Sequence, residues 1–195
     1  MRDPVEVTHG PPARDAGQAV RSAGDSLTPP SHSEPGRLVH ADLAVFADYN
    51  YFLVQDDSLR PDLSDEFAGE LIDNLVATEQ DVLGVGTARR TTVPVALEVS
   101  VAEPDRETAG WDHVAEGGLR APTGRIIVSS SDRTERIPRT DIPPGEYTAR
   151  VYYRGLDTIS GDGRDGHDRY LVVLWPGQAR SARVITRYDG ELPGG

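Results

Sequence analysis

The chain has 195 residues, a net charge of −12 at pH 7 and no cysteine. The charge disfavours direct binding to nucleic acid or to an anionic membrane surface, since both require a basic footprint. The lack of cysteine excludes disulfides, thiolate zinc sites and a cysteine nucleophile, and it fits a reducing compartment. No stretch approaches the roughly 20 apolar residues of a membrane helix, and the N-terminus lacks the apolar region of a secretory signal. We therefore expect a cytoplasmic protein.

The first 36 residues differ in composition from the rest of the chain. Proline, glycine, serine and alternating charges dominate, and apolar residues are too sparse to offset the entropy cost of folding. We predict a disordered tail over 1–36 and a single folded domain over 37–195. Most of the acidic residues lie in the predicted domain.

Two strands and one helix are predicted at the start of the domain. In "LVHADLAVFADYNYFLVQD" (38–56), two apolar runs flank the turn sequence "ADYN". Ser64 is a plausible N-cap of the helix that follows, with two acidic residues in its first turn. Phe67, Leu71 and Leu75, with Ile72 beside them, recur at helical spacing and predict its buried face.

After this helix, every periodic segment is typical of a strand. Valine and leucine alternate through 91–103, and further short strands are predicted over 82–88, 111–121, 124–131 and toward the C-terminus. Glycine, proline and aspartate separate them. Many short strands and one helix predict a mainly β protein, an antiparallel β-sandwich resembling a jelly roll.

"WDHVAEGGLRAPTG" (111–124) contains residue types that bind metals and move protons. On a strand, however, His113 and the two carboxylates Asp112 and Glu116 point to opposite faces. The carboxylates lie roughly 13 Å apart along an extended strand, too far to share an ion. We therefore expect a structural role, with Trp111 anchoring the core, His113 beside it, and Gly117-Gly118 marking a bulge or a close backbone approach.

"GDGRDGHD" (161–168) superficially resembles a calcium loop. Its aspartates lack the spacing of an EF-hand loop and no helices flank it, so a flexible connection is the favoured interpretation. A lectin-like sandwich that binds a metal or small ligand through Asp112, Glu116 or this loop is the alternative function. The sequence supplies no nucleophile–base pair, so we expect a protein without enzymatic activity, cofactor or bound metal.

Residues 55–70, "QDDSLRPDLSDEFAGE", form the most acidic stretch of the predicted domain. Such a run is often only a solvated loop, but it would also suit binding to a basic protein surface, such as the DNA cleft of a nuclease. We expect the three aspartates that precede the helix to face solvent. The predicted partner-binding residues are Asp56, Asp57, Asp62, Asp65, Glu66 and Glu70.

The stretch "YNYFLVQDDSLRPDLSDEFAGELIDNLVATEQDVLGVGT" (49–87) resembles the N-terminal half of the ComJ family of competence proteins, which are nuclease inhibitors of the Nin type. The later "WDHVAEGGLRAPTGRIIV", "IPPGEYTARVYYRGL" and "YLVVLWP" resemble the second half of a wider group of ComJ-like and immunity-type proteins. The resemblance spans about 38–178. It implies a β-rich, non-catalytic inhibitor of a DNA-degrading nuclease, or a toxin-immunity protein, and hence a basic protein partner.

Overall fold

The computed structural model describes residues 36–131 and 138–192. Two β-sheets face each other, and one α-helix, α1 (Asp65–Asn74), lies against the outer face of one of them. The strands are β1 (Arg37–Phe46), β2 (Tyr51–Asp56), β3 (Val76–Glu79), β4 (Val82–Gly86), β5 (Thr92–Ser100), β6 (His113–Ala121), β7 (Arg125–Ser129), β8 (Arg139–Asp141), β9 (Gly145–Arg154), β10 (Arg169–Pro176) and β11 (Arg183–Thr186).

The six-stranded sheet has the order β1-β5-β10-β9-β6-β11, and the five-stranded sheet has the order β3-β4-β2-β7-β8. Neighbouring strands are antiparallel except for β5 and β10, which run parallel. The predicted mainly β sandwich with one helix is therefore confirmed, with this one parallel pair as an addition. The tail predicted over 1–36 lies outside the described residues apart from Gly36.

The main hydrophobic core fills the space between the two sheets. The period-two pattern of β5 explains its contribution, because Val93, Val95, Leu97 and Val99 all point inward and are at most 1% exposed. Burying each such side chain stabilises the fold by about 1.5–3 kcal/mol.

Helix α1 covers the outer face of the five-stranded sheet. Phe67 and Leu71 pack on Leu53, Ala77 and Val82 of β2, β3 and β4. The predicted N-cap is confirmed, because the Ser64 hydroxyl accepts a hydrogen bond from the amide of Phe67. The prediction for Ile72 is wrong, because this side chain is 75% exposed.

Strand β3 is not predicted by the sequence pattern, since its four residues directly follow the helix. The helix ends at Leu75, whose backbone is left-handed (φ 56°). A two-residue turn at Gln80 and Asp81, both with positive φ, then joins β3 to β4, as the twist of a tight hairpin requires. Over 36–131 and 138–192, no helix has the length and apolar character needed to cross a membrane.

Candidate functional site

The six acidic residues singled out in the sequence are not equivalent, and Asp56 differs most from the others. Its side chain is fully buried at the end of β2. It accepts hydrogen bonds from the amide and hydroxyl of Ser58 and from the amide and hydroxyl of Thr123. Burial opposes ionisation, but these bonds prevail and lower the pKa of Asp56 to about 2. The expectation that Asp56 faces solvent is therefore wrong, since it fixes the start of the acidic loop to the β6–β7 turn.

Two more of these carboxylates are engaged within the protein. Asp57 accepts a hydrogen bond from Arg139 Nε on β8 at 2.6 Å. Glu70 is half-buried and accepts the amide of Thr78 on β3 at 3.4 Å. Both contacts hold the acidic loop and α1 against the five-stranded sheet.

The remaining three, Asp62, Asp65 and Glu66, are exposed and form no side-chain ion pair with any described residue. Asp73, near the C-terminal end of α1, is likewise exposed. Residues 66 and 73 are seven apart and fall on the same side of the helix. The spacing of Asp73 was visible in the sequence, but it lies beyond the stretch 55–70 and was not singled out. We call Asp62, Asp65, Glu66 and Asp73 the acidic face.

A pocket of about 540 Å³ opens beside the C-terminal half of α1. Its wall on the helix side includes Leu71 and Ile72, and its far wall is formed by Arg187, Tyr188, Gly190 and Leu192. Tyr49, in the turn between β1 and β2, borders the pocket as well. At 67% and 75% exposure, Tyr49 and Ile72 are the two most exposed large hydrophobic side chains of the described residues. The pocket therefore has an apolar rim, and its exposure to water is unfavourable.

The backbone around this pocket is unusual. Tyr49, Asn50 and Leu75 all have positive φ values (53°, 62° and 56°) and all line the pocket. Residues with side chains rarely adopt this conformation, which costs of the order of 1 kcal/mol or more each. Such strain clusters at functional sites more often than elsewhere. This strain could not be predicted from the sequence, since nothing in "ADYN" distinguishes a strained turn from an ordinary one.

His113 lies at the floor of the pocket, and both of its ring nitrogens are occupied. Nδ1 accepts the amide of Tyr188 at 3.2 Å, so Nε2 donates to the carbonyl of Asn74 at 2.9 Å. Burial lowers the pKa of His113 below its usual value, and Arg187 adds to this effect against the opposing bond to Asn74. The neutral imidazole joins the end of α1 to the C-terminal segment, and it has no free nitrogen with which to transfer a proton.

The other charged residues of "WDHVAEGGLRAPTG" are also structural. Asp112 accepts the amide of Leu156 at 2.9 Å. Glu116 is buried and accepts from Arg150 Nε at 2.9 Å and from Arg183 Nε at 2.8 Å. Burial opposes the ionisation of Glu116, but these two arginines lower its pKa. The carboxylates therefore have intramolecular partners and do not converge on a common point.

The prediction that Trp111 anchors the core beside His113 is wrong. Trp111 precedes β6, is half-exposed, and packs on Tyr152 at the outer face of the six-stranded sheet, with ring centroids 5.1 Å apart. The ring of His113 instead packs edge-on against that of Tyr153, which faces the main core, with ring centroids 5.0 Å apart. Side chains alternate between the two faces of the sheet only from His113, where β6 begins. The alternation therefore does not predict the orientation of Trp111, which lies in the preceding loop.

The aspartates of the 161–168 loop point in different directions. Asp162 accepts from the Ser160 hydroxyl at 2.6 Å, whereas Asp168 is fully buried and binds Arg89 and the Tyr170 hydroxyl. In the part of the chain that the structure describes, no group of three or more histidine or acidic side chains has the arrangement of a metal site. Asp168 thus fastens the loop to the sandwich, whereas Asp162 stabilises a turn within the loop.

Comparison with known proteins identifies structural similarity only. No protein-family model matches the chain, and no curated protein matches its sequence. The fold is similar to that of ComJ from Bacillus subtilis, an inhibitor of the DNA-degrading activity of NucA, with a TM-score of 0.53 and 14% identity over 72% of this chain and 97% of ComJ. The product of crocagin biosynthetic gene J is also similar, with a TM-score of 0.49 and 17% identity over 72% of this chain and 98% of that protein. The chain has a ComJ-like fold.

Proposed function

We propose that this chain is a non-enzymatic protein that binds a DNA-degrading nuclease and inhibits it. The acidic face carries the proposal, because it combines unpaired carboxylates with the pocket beside α1. A nuclease needs a basic cleft to hold DNA phosphates, and carboxylates can occupy the same cleft. The shared fold with ComJ, a nuclease inhibitor, supports this assignment.

The acidic face and the pocket together have the layout of a protein-binding surface. Protein interfaces commonly place apolar anchors at the centre and polar groups at the rim. Here Tyr49 and Ile72 would form the centre, Asp73 would border it, and the other carboxylates of the acidic face would extend the surface toward the N-terminal end of α1. Asp56, Asp57 and Glu70 would contribute indirectly, by holding the loop and the helix in position.

The test is inhibition of DNA cleavage by a panel of purified nucleases that includes NucA, with the full chain as titrant. We expect stoichiometric inhibition of at least one enzyme, with an affinity that falls steeply as salt rises. The triple variant Asp62→Asn, Asp65→Asn, Glu66→Gln should weaken inhibition by about tenfold or more and flatten the salt dependence. Each lost charge pair at a rim contributes only modestly, but three act together.

A matched control removes three equally exposed carboxylates elsewhere, in the variant Asp105→Asn, Glu107→Gln, Asp165→Asn. This variant has the same net charge as the first triple variant. Equal loss of inhibition in both would mean that only the overall charge matters and that the acidic face is not the binding site. Absence of inhibition across the panel would overturn the proposed function itself.

A further inference from the structure

Strand β1 is a long edge strand with one unpaired side. Nine of its ten residues pair with β5, from Arg37 opposite Ser100 to Phe46 opposite Thr92, and Leu38 lies at a register shift. No described residue pairs with its other side. A free edge presents a row of unsatisfied amide and carbonyl groups, which another strand can satisfy.

The side chains of β1 are also incompletely covered. Val39, Ala41 and Leu43 point toward the opposite sheet yet are only half-buried. On the outer face, Leu38 is 54% exposed and Phe46 is 38% exposed. The strand contains no proline, which commonly protects a free edge, and its one register shift lies at its start. Both faces of this edge would therefore lose apolar exposure if a further strand were added.

The sequence of β1 is self-complementary in one antiparallel register. With a twofold axis at Ala41, His40 faces the partner's Asp42, Leu38 faces the partner's Ala44, and Val39 faces the partner's Leu43. Within one copy, Asp42 already lies 3.3 Å from His40 Nε2, and its carboxylate is still 66% exposed, so it can also meet the partner's imidazole. An axis at Asp42 would instead place two aspartates opposite each other, and an axis at His40 would place two imidazoles opposite each other. Like charges opposite one another destabilise a sheet.

We propose that two copies of this chain associate through β1, antiparallel about Ala41, to form a continuous twelve-stranded sheet. Pairing through the same segment of both copies gives a closed, symmetric dimer. Arg37 and Asp42 leave β1 almost neutral, but each copy carries a net charge of −12, so two copies repel each other overall. Association should therefore strengthen with added salt, in contrast to nuclease binding.

The test is sedimentation equilibrium of the full chain over a wide concentration range, with two double variants of exposed β1 residues. Leu38→Glu with Ala44→Glu places glutamates opposite each other at two symmetric positions. Leu38→Lys with Ala44→Glu places lysine opposite glutamate at the same positions. We expect the wild type to dimerise, the like-charge variant to associate about tenfold or more weakly, and the opposite-charge variant to associate about as tightly as the wild type. Thermal unfolding establishes that both variants fold.

The control is Ile185→Glu on β11, the opposite edge of the same sheet, where the side chain is 40% exposed. This change should leave association unaltered. A chain that stays monomeric throughout the range, equal association of the two double variants, or loss of the dimer in Ile185→Glu would each overturn the proposal. None of these results bears on nuclease inhibition, which is read out separately.

Discussion

Asp56 and Asp57 are neighbours of the same residue type with different environments. The amide and hydroxyl of Thr123, 67 residues away, make Asp56 a buried acceptor, whereas Asp57 meets Arg139 at the surface. The sequence contains both aspartates but not the long-range contact that distinguishes them. Sequence analysis could therefore identify the acidic loop but could not separate its structural carboxylate from those that face solvent.

Replacing Asp56 with alanine should destabilise the protein by about 2 kcal/mol, because four donors from Ser58 and Thr123 lose their charged acceptor. In a domain of this size, that corresponds to a melting temperature lower by about 4–8 °C. Asp57→Ala is the control, and its half-exposed ion pair should contribute less than about 1 kcal/mol.

The carboxylate of Asp56 should also affect how the free energy of unfolding changes with pH under acidic conditions. Its pKa is about 2 in the folded protein and close to 3.9 when unfolded, so its contribution is complete above about pH 5 and is lost as the pH falls toward 2. Urea denaturation between pH 5 and 2.5 should show a shallower loss of stability for Asp56→Ala than for the wild type. Parallel curves would contradict the assigned hydrogen bonds.

At the level of elements, the strength of the local pattern decided what could be predicted. The alternation in β5 and the Ser64 cap with Phe67 and Leu71 each specify one structure, and each was predicted. Strand β3 has four residues, too few for a period to emerge, and its pairing with β4 depends on two left-handed turn residues. Ile72 matches the helical period, but its side chain is exposed and lines the pocket instead of packing on the sheet.

Strand β6 illustrates how paired glycines allow close packing on both faces of a sheet. A Cβ at Gly118 would lie 2.3 Å from the backbone nitrogen of Arg180 and 2.6 Å from the Cα of Ala179. A Cβ at Gly117 would meet only side-chain methyl groups at 2.7 Å or more, on Leu83 and Thr78. The register with β9 is continuous through both glycines. Of the two predicted explanations, a close approach is therefore correct and a bulge is not.

Gly118→Ala should consequently destabilise the protein more than Gly117→Ala, because backbone atoms cannot move aside as side-chain ends can. We expect the free energy of unfolding to fall by about 3 kcal/mol in Gly118→Ala and by about 1 kcal/mol in Gly117→Ala, as measured by urea denaturation. Gly69→Ala is the control, since a Cβ there meets nothing within 4 Å. In the interior of α1 it should stabilise by about 0.5–1 kcal/mol. A Gly118→Ala variant as stable as the wild type would exclude the close crossing of 179–180 over β6.

On the scale of the whole molecule, charge and apolar surface are distributed unevenly. The acidic face lies with the pocket outside the five-stranded sheet, whereas Arg150 and Arg183 surround Glu116 outside the six-stranded sheet. The free edge of β1 is a third, nearly neutral region. Because these surfaces belong to different elements, the proposed nuclease contact and the proposed association through β1 would use different residues.

The domain boundary predicted at residue 37 can be tested by removing residues 1–35. Gly36 is retained because its carbonyl accepts the amide of Val101 and fixes the start of β1. The inner faces of both sheets already supply a core from later residues, and the composition of 1–36 offers little apolar area to add to it. We therefore expect one cooperative unfolding transition, with a free energy of unfolding within about 0.5 kcal/mol of that of the full chain. A loss above about 1 kcal/mol, or a second transition, would place the boundary of the domain before residue 37.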